Sequence, residues 1–528
     1  MLVAHQAEQR SSQPDCNRQT PDAAGIEVIA REATASNSTR TLPGCTSTRT
    51  GKSKTIAAGS ARGQPHNQGE TSAGARTALP LPVVIFLAGL IIPWIIPLGP
   101  LNLSVYRIVL LVMLLPCLVM WLSGKVGPIR VADIAVILFS FWASISLAIV
   151  HGFEPMIEAI GINNVETLGA YMLARCYIRT ENDFHNMVRV ACKSVMILLP
   201  FALYEWFTGQ KPLLTIFGLV FPTSDISMID GRWGLTRVQG PFGHPILYGV
   251  FCGSVVGLAY SVLGYRGSAL ARWRKTALIS LATFMSMSSA PLAGMVLQFA
   301  VIAWNSLLKR FEWRWKLLWA IIFIAYLVVE VGSNQTPVSF YISHFTFDAQ
   351  TGWYRLAIWE CGSATVANHP WFGIGYGVWE EKLSWMGDSV DNFWLVMGMR
   401  HGMPAVIFIF GAYMAVVLPA AFKKGLDEKV DAYRTAYVIC MVVFVVVGFT
   451  VHFWAAAYAW FMFMLGSGVW ILEQKANAYT ASRGQRGTLV PESASKPMPG
   501  VLSRPTGVEV GSSEGRTGQP SSSQRRGT

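Results

Sequence analysis

Between residues 79 and 472 the chain repeats one pattern: apolar runs separated by polar loops. Several of the runs are roughly 18–22 residues long, enough to cross a hydrocarbon core of about 30 Å. Lipid offers no partner to open backbone, so each run must satisfy its own amides and carbonyls as a helix. Charged residues make up 14% of the chain, against about 25% in soluble domains. The pattern predicts an all-α, polytopic integral membrane protein with about twelve spans. They fall near 79–99, 104–123, 131–150, 158–178, 188–208, 244–264, 276–290, 291–308, 317–333, 392–421, 434–451 and 453–472. Glu158, Asn163, Asn164 and Glu166 interrupt the fourth. Ala290-Pro291 joins the seventh and eighth as a hairpin or one broken helix.

Two polar, low-complexity tails flank this region, at 1–78 and 473–528. Both read as disordered cytoplasmic segments without a packed core. Loop charge sets the orientation. Lys125, Arg130, Arg272, Arg274, Lys275, Lys309, Arg310, Lys423 and Lys424 fall in alternate loops. The positive-inside rule places those loops, and both termini, in the cytoplasm. It also explains most of the net charge of +12, so nucleic acid is not an expected partner. The eight cysteines show no CxxC pair, and no His, Cys, Asp or Glu set has metal-ligand spacing. Neither a metal nor a cofactor is expected.

Two outer loops are long, at about 209–243 and 334–391. Long loops in compact proteins tend to be functional or disordered. The second is rich in Trp and Gly and reads as a folded cap on the membrane. It contains Arg355 and, four residues on, Trp359, which a helix would place on one face. Arg355 is either an anion contact or an arginine snorkelling to headgroups. Asn368 to Gly377 is a turn-forming run holding His369, Gly373 and Gly375. Its backbone amides could cradle an anion, or the run is simply a surface turn. Arg232 and Arg237 lie in the first outer loop, ahead of His244, against the positive-inside trend. Asp391 and Asn392 open a late span, where Asp391 is either a helix N-cap or a general base.

Together these pieces resemble the O-antigen ligase and Wzy-type polymerase superfamily of bacterial inner-membrane proteins, over roughly 80–472. The resemblance rests on the span layout and the large late outer loop. It also rests on Phe242 to Pro245 and on the run Arg355, Trp359, His369, Pro370, Gly373, Gly375. Two positions depart from the ligase pattern. The ligases' His-Asn, nine residues, Gly-x-x-Gly reads here as Asp391-Asn392, nine residues, Gly402-Met403-Pro404-Ala405. Their Ser-Arg after the middle spans reads as Met287-Ser288-Ser289-Ala290.

The resemblance implies a metal-independent glycosyltransferase of exopolysaccharide, capsule or O-antigen biosynthesis in the bacterial inner membrane. The donor would be an oligosaccharide on undecaprenyl diphosphate, carried to a glycan or lipid acceptor at the periplasmic face. A flippase, a chain-length regulator and membrane lipids would be partners. Asp391, Arg355 and Arg237 would be catalytic. Arg232, His244, Trp359, His369, Gly373, Gly375 and Asn392 would bind substrate. A secondary transporter, an export or flipping component and a protein O-glycosylating enzyme are the rival readings. No repeat relates the two halves, which weighs against a carrier.

Overall fold

The computed structural model describes residues 78–474 apart from 99–100, 225, 227–228, 335, 338–339, 341–348 and 380. The expected tails at 1–78 and 473–528 lie outside the described residues but for their inner ends, as does part of the 334–391 loop.

The chain is a polytopic helical membrane protein. Among the described residues, eight helices are long and apolar enough to span. They are α2 (Val105–Leu122), α3 (Val131–His151), α6 (Glu181–Thr208) and α11 (Ser289–Leu307), followed by α12 (Arg314–Gly332), α15 (Met403–Phe422), α16 (Glu428–Gly448) and the continuous stretch of α17 (Ala455–Ser467) with α18 (Val469–Glu473). The other four of the expected runs are shorter or broken, each for a local reason.

The first expected span ends early. Helix α1 covers Leu81–Gly89, and Pro93 and Pro97 then bar helix, since proline lacks the N–H and clashes with the preceding turn. The chain turns back instead as an antiparallel hairpin, β1 (Ile95–Leu98) on β2 (Leu101–Ser104). Among the described residues this is the one sheet in an otherwise helical fold. The fourth run is α4 (Phe153–Asn164), a wide turn over Val165–Gly169, and α5 (Ala170–Tyr177). Buried Glu166 in that turn accepts from Tyr106 Oη at 2.6 Å and Arg107 Nε at 2.8 Å, so the interrupting carboxylate is paired inside the bundle. The sixth run is the short pair α8 (Pro245–Ser254) and α9 (Val256–Ser261). The seventh, α10 (Ala269–Met285), and α11 are separate helices. They meet at Ser286–Ser288, where Met287 has φ of 44°.

The 334–391 loop contains α13 (Ala349–Asn368), then irregular chain leading to α14 (Phe393–His401). Gly402, at φ 80°, breaks α14 from α15. The break is filled by the Pro370–Trp371 turn: Met403 N–H donates to Pro370 O at 2.7 Å, satisfying backbone that lipid could not. Helix α17 lies at the centre, with Trp460 fully buried, and packs on α5, while α15 packs on α3. None of α12 is buried.

Loop contacts gather one set of connections at a single end of the bundle. Ile95 N donates to Pro222 O at 2.7 Å, Val238 N to Met285 O at 3.0 Å and Phe393 N to Val451 O at 3.1 Å. Tyr376 N donates to His151 Nε2 at 2.9 Å. The 209–243 loop thus meets the β-hairpin and the α10–α11 junction, and the 334–391 loop meets the end of α3.

Candidate functional site

Asp391 lies at the mouth of this face, immediately before α14. It is not the helix cap. Asn392 is the N-cap: its Oδ1 accepts from Leu395 N–H at 3.0 Å and its side chain is buried. The cap reading of Asp391 is thereby corrected, and Asn392 has a structural task through Oδ1. The Asp391 carboxyl is half-buried and uninvolved in capping. Burial raises its pKa above the aspartate norm, against the opposing pull of Arg355 and then Arg237.

Those two arginines come from different loops. Arg355 sits in the second turn of α13 and is 6% exposed. Trp359, one turn on, packs its ring 6.4 Å from Phe449, so the i, i+4 pair faces the bundle as its spacing predicts. Arg237 is 9% exposed. Its Nη2 donates to Ser288 Oγ at 2.9 Å, and its Nε is 3.5 Å from Ser286 O. Arg232 Nη1 donates to Met287 O at 2.7 Å. Both arginines thus dock on the α10–α11 junction, where the ligases' Ser-Arg is missing from this chain. Cations reach that position from the first outer loop instead. Burial, with Arg232 nearby, lowers the Arg237 pKa to about 10, and Asp391 works the other way.

A buried acid positions this loop. Glu205, in the last turn of α6, accepts from Gln239 N–H at 2.8 Å and Gly240 N–H at 3.0 Å. Lys211 Nζ lies 3.6 Å from the same carboxylate and donates to Gln239 Oε1 at 2.6 Å. The backbone beyond Arg237 is therefore clamped. Glu205 and Lys211 escaped the reading of the sequence. An acid within a span tends to face protein interior, and that signal could have found Glu205.

His244 caps α8, its Nδ1 accepting from Ile246 N–H at 3.1 Å. Burial first, then Arg237 and Lys211, lower its pKa to about 4. At neutral pH it is uncharged with Nδ1 occupied as acceptor, so its proton is on Nε2. It can donate from Nε2 but cannot take a proton there.

Three expected contacts lie apart from the cluster. His369 is exposed beyond the far end of α13, fourteen residues from Arg355, or about 21 Å at 1.5 Å per residue. Gly373 N–H donates to His369 O at 3.1 Å and Gly375 N–H to Arg400 O at 3.1 Å. The first closes the turn on itself and the second ties it to α14, so both amides already have acceptors. Gly373 and Gly375 have φ of 64° and 62°, which is the reason for glycine there.

Arg232, Arg237 and Arg355 against Asp391 leave a net charge of +2 by residue count (three minus one). The chain is thus a helical membrane protein that carries buried cations near an acid at its loop ends. Residues 276–410 match the family described as O-antigen ligase. The match includes Arg355 and Asp391, supports the O-antigen ligase superfamily for this chain, and carries with it a general role in ligase- or polymerase-type glycan chemistry. No curated protein matches the chain.

Proposed function

We propose that this protein transfers an oligosaccharide from undecaprenyl diphosphate to an acceptor hydroxyl at the periplasmic face of a bacterial inner membrane, as a glycan polymerase or ligase. The observation that carries this reading is Asp391, left free of capping by Asn392 and near enough to Arg355 and Arg237 for their charges to oppose its burial. Guanidinium forks match phosphate oxygens. Here they would hold the diphosphate and stabilise its charge as it leaves, as preorganised charges do in other transfers. Asp391 would take the acceptor proton. The hydroxyl oxygen forms the new bond to the anomeric carbon, the bond to the diphosphate oxygen breaks, and the electron pair leaves with the diphosphate. Arg232 and the His244 Nε2–H would support the anion.

The test is gene deletion followed by size analysis of surface glycan and of lipid-linked repeat units. Loss of long glycan with build-up of lipid-linked units, rescued by the wild-type chain and not by Arg355→Ala, is the expected result. Rescue by Arg355→Ala, with loss instead on changing polar residues inside the spans, would favour a carrier.

A further inference from the structure

A cavity of about 380 Å³ opens beside the charged cluster, between α4, α14 and the 452–455 segment. That volume is near the lower end of small-molecule sites, about 300–1,000 Å³. Tyr376, Phe453, Trp454 and Tyr458 give it aromatic walls. Three polar atoms on the lining are buried and have no hydrogen-bond partner among the described residues: Asn163 Nδ2, His401 Nδ1 and His452 Nδ1. Buried polar atoms are nearly always satisfied, so this clustering points to a polar occupant. Aromatic walls with scattered hydrogen-bonding groups suit a sugar, which has apolar C–H faces and a hydroxyl rim.

The charges sharpen the assignment. Arg107 is committed to Glu166. Arg400 is not committed to any acid. Its guanidinium lies 4.8 Å above the Tyr376 ring and forms no ion pair among the described residues. Glu158 also lines the cavity, but is exposed at its rim and forms no ion pair among the described residues. An uncompensated guanidinium on an aromatic wall favours an acidic ligand. Ring contacts link the cavity wall to residues of the proposed transfer site. Trp454 lines it and packs 5.9 Å from His244. His452 stacks 6.4 Å from Phe393, two residues after Asp391.

We propose that this cavity binds an acidic sugar of the acceptor glycan, with Arg400 engaging its carboxylate. That the sugar belongs to the acceptor rests on the transfer reading above; the acidic-sugar site itself does not. The cavity wall touches Phe393, two residues after Asp391, so the bound sugar would hold its chain end toward that site. Specificity for an acidic acceptor would then come from Arg400, apart from the arginines assigned to diphosphate.

The test uses the purified full chain in lipid nanodiscs, with saturation-transfer NMR and two probes: the disaccharide glucuronosyl-β-1,4-glucose and neutral cellobiose. The acidic disaccharide should bind more tightly. Arg400→Gln should weaken it about tenfold, as expected for losing a charge-assisted contact, and remove the preference. Glu158→Gln should strengthen it, a gain that misfolding cannot imitate. Arg355→Ala should leave it unchanged. Equal binding of the two probes, no effect of Arg400→Gln, or no binding at all would overturn the proposal. Displacement of the disaccharide by inorganic pyrophosphate would also overturn it, by assigning Arg400 to the donor phosphates. No donor is present in this assay. Its failure is therefore separate from failure of the transfer reading, which the glycan analysis of Arg355→Ala decides.

Discussion

Asp391→Asn separates catalysis from architecture at the position where this chain departs from the ligase pattern. The helix cap is Asn392, whose Oδ1 holds Leu395 N–H at 3.0 Å. A cap of this kind contributes about 1 kcal/mol, and Asp391→Asn leaves it in place. The variant is nearly isosteric, so insertion, accumulation and Tm should stay close to wild type. The chemistry should not. Asparagine cannot accept a proton near neutral pH, and loss of a positioned base costs about 10²–10⁴ in rate, or about 3–5 kcal/mol at 1.36 kcal/mol per tenfold. The assay is transfer from purified lipid-linked oligosaccharide by protein in nanodiscs, with glycan length read on gels and protein matched by immunoblot. The expected rate is below about 1% of wild type, the lower bound of that range. A rate above about a tenth of wild type, less than one decade of loss, would refute Asp391 as the base. Because His244 holds its proton on Nε2 and His369 is remote, the base would then have to lie away from the arginine cluster.

Asn392→Ala should behave in the opposite way, losing about 1 kcal/mol of stability with its cap, read as a lower Tm at matched lipid composition. Arg355→Ala and Arg237→Ala should each cut transfer about tenfold or more, and Lys should rescue poorly because it keeps charge and loses the planar fork; full rescue by Lys, measured as rate, would remove the bidentate argument. Transfer should rise with pH through an apparent pKa above the ordinary aspartate value of about 3.9, because burial raises Asp391 and only the ionised form accepts a proton; a flat pH–rate profile across that range would contradict the assignment. Reporter fusions after Gly231 and Trp353 should report the periplasm and those after Gly267 and Glu312 the cytoplasm, from the loop charges; a cytoplasmic signal at Trp353 would place the cluster on the wrong side for a periplasmic donor.

The sequence determined the class of the molecule. Partitioning into lipid sums along a run of neighbours, so apolar length alone marks helices such as α3 and α16, and polar gaps mark the loops. Local periodicity placed Arg355 and Trp359 on one face of α13, since that relation depends on four residues and a helical turn. Proline chemistry at Pro93 and Pro97 was equally local, and weighing it would have shortened the first span and exposed the hairpin. The tertiary structure decided the rest. Whether Asp391 or Asn392 caps α14 turns on one backbone geometry and one hydrogen bond. The anion-cradle reading of Gly373 and Gly375 does not hold because their amides are taken by His369 O and by Arg400 O, the latter about 25 residues on. Arg237 meets Ser288 across 51 residues and Glu205 meets Gly240 across 35. No pattern within either segment specifies these pairings. They arise only when packed helices bring loop ends together.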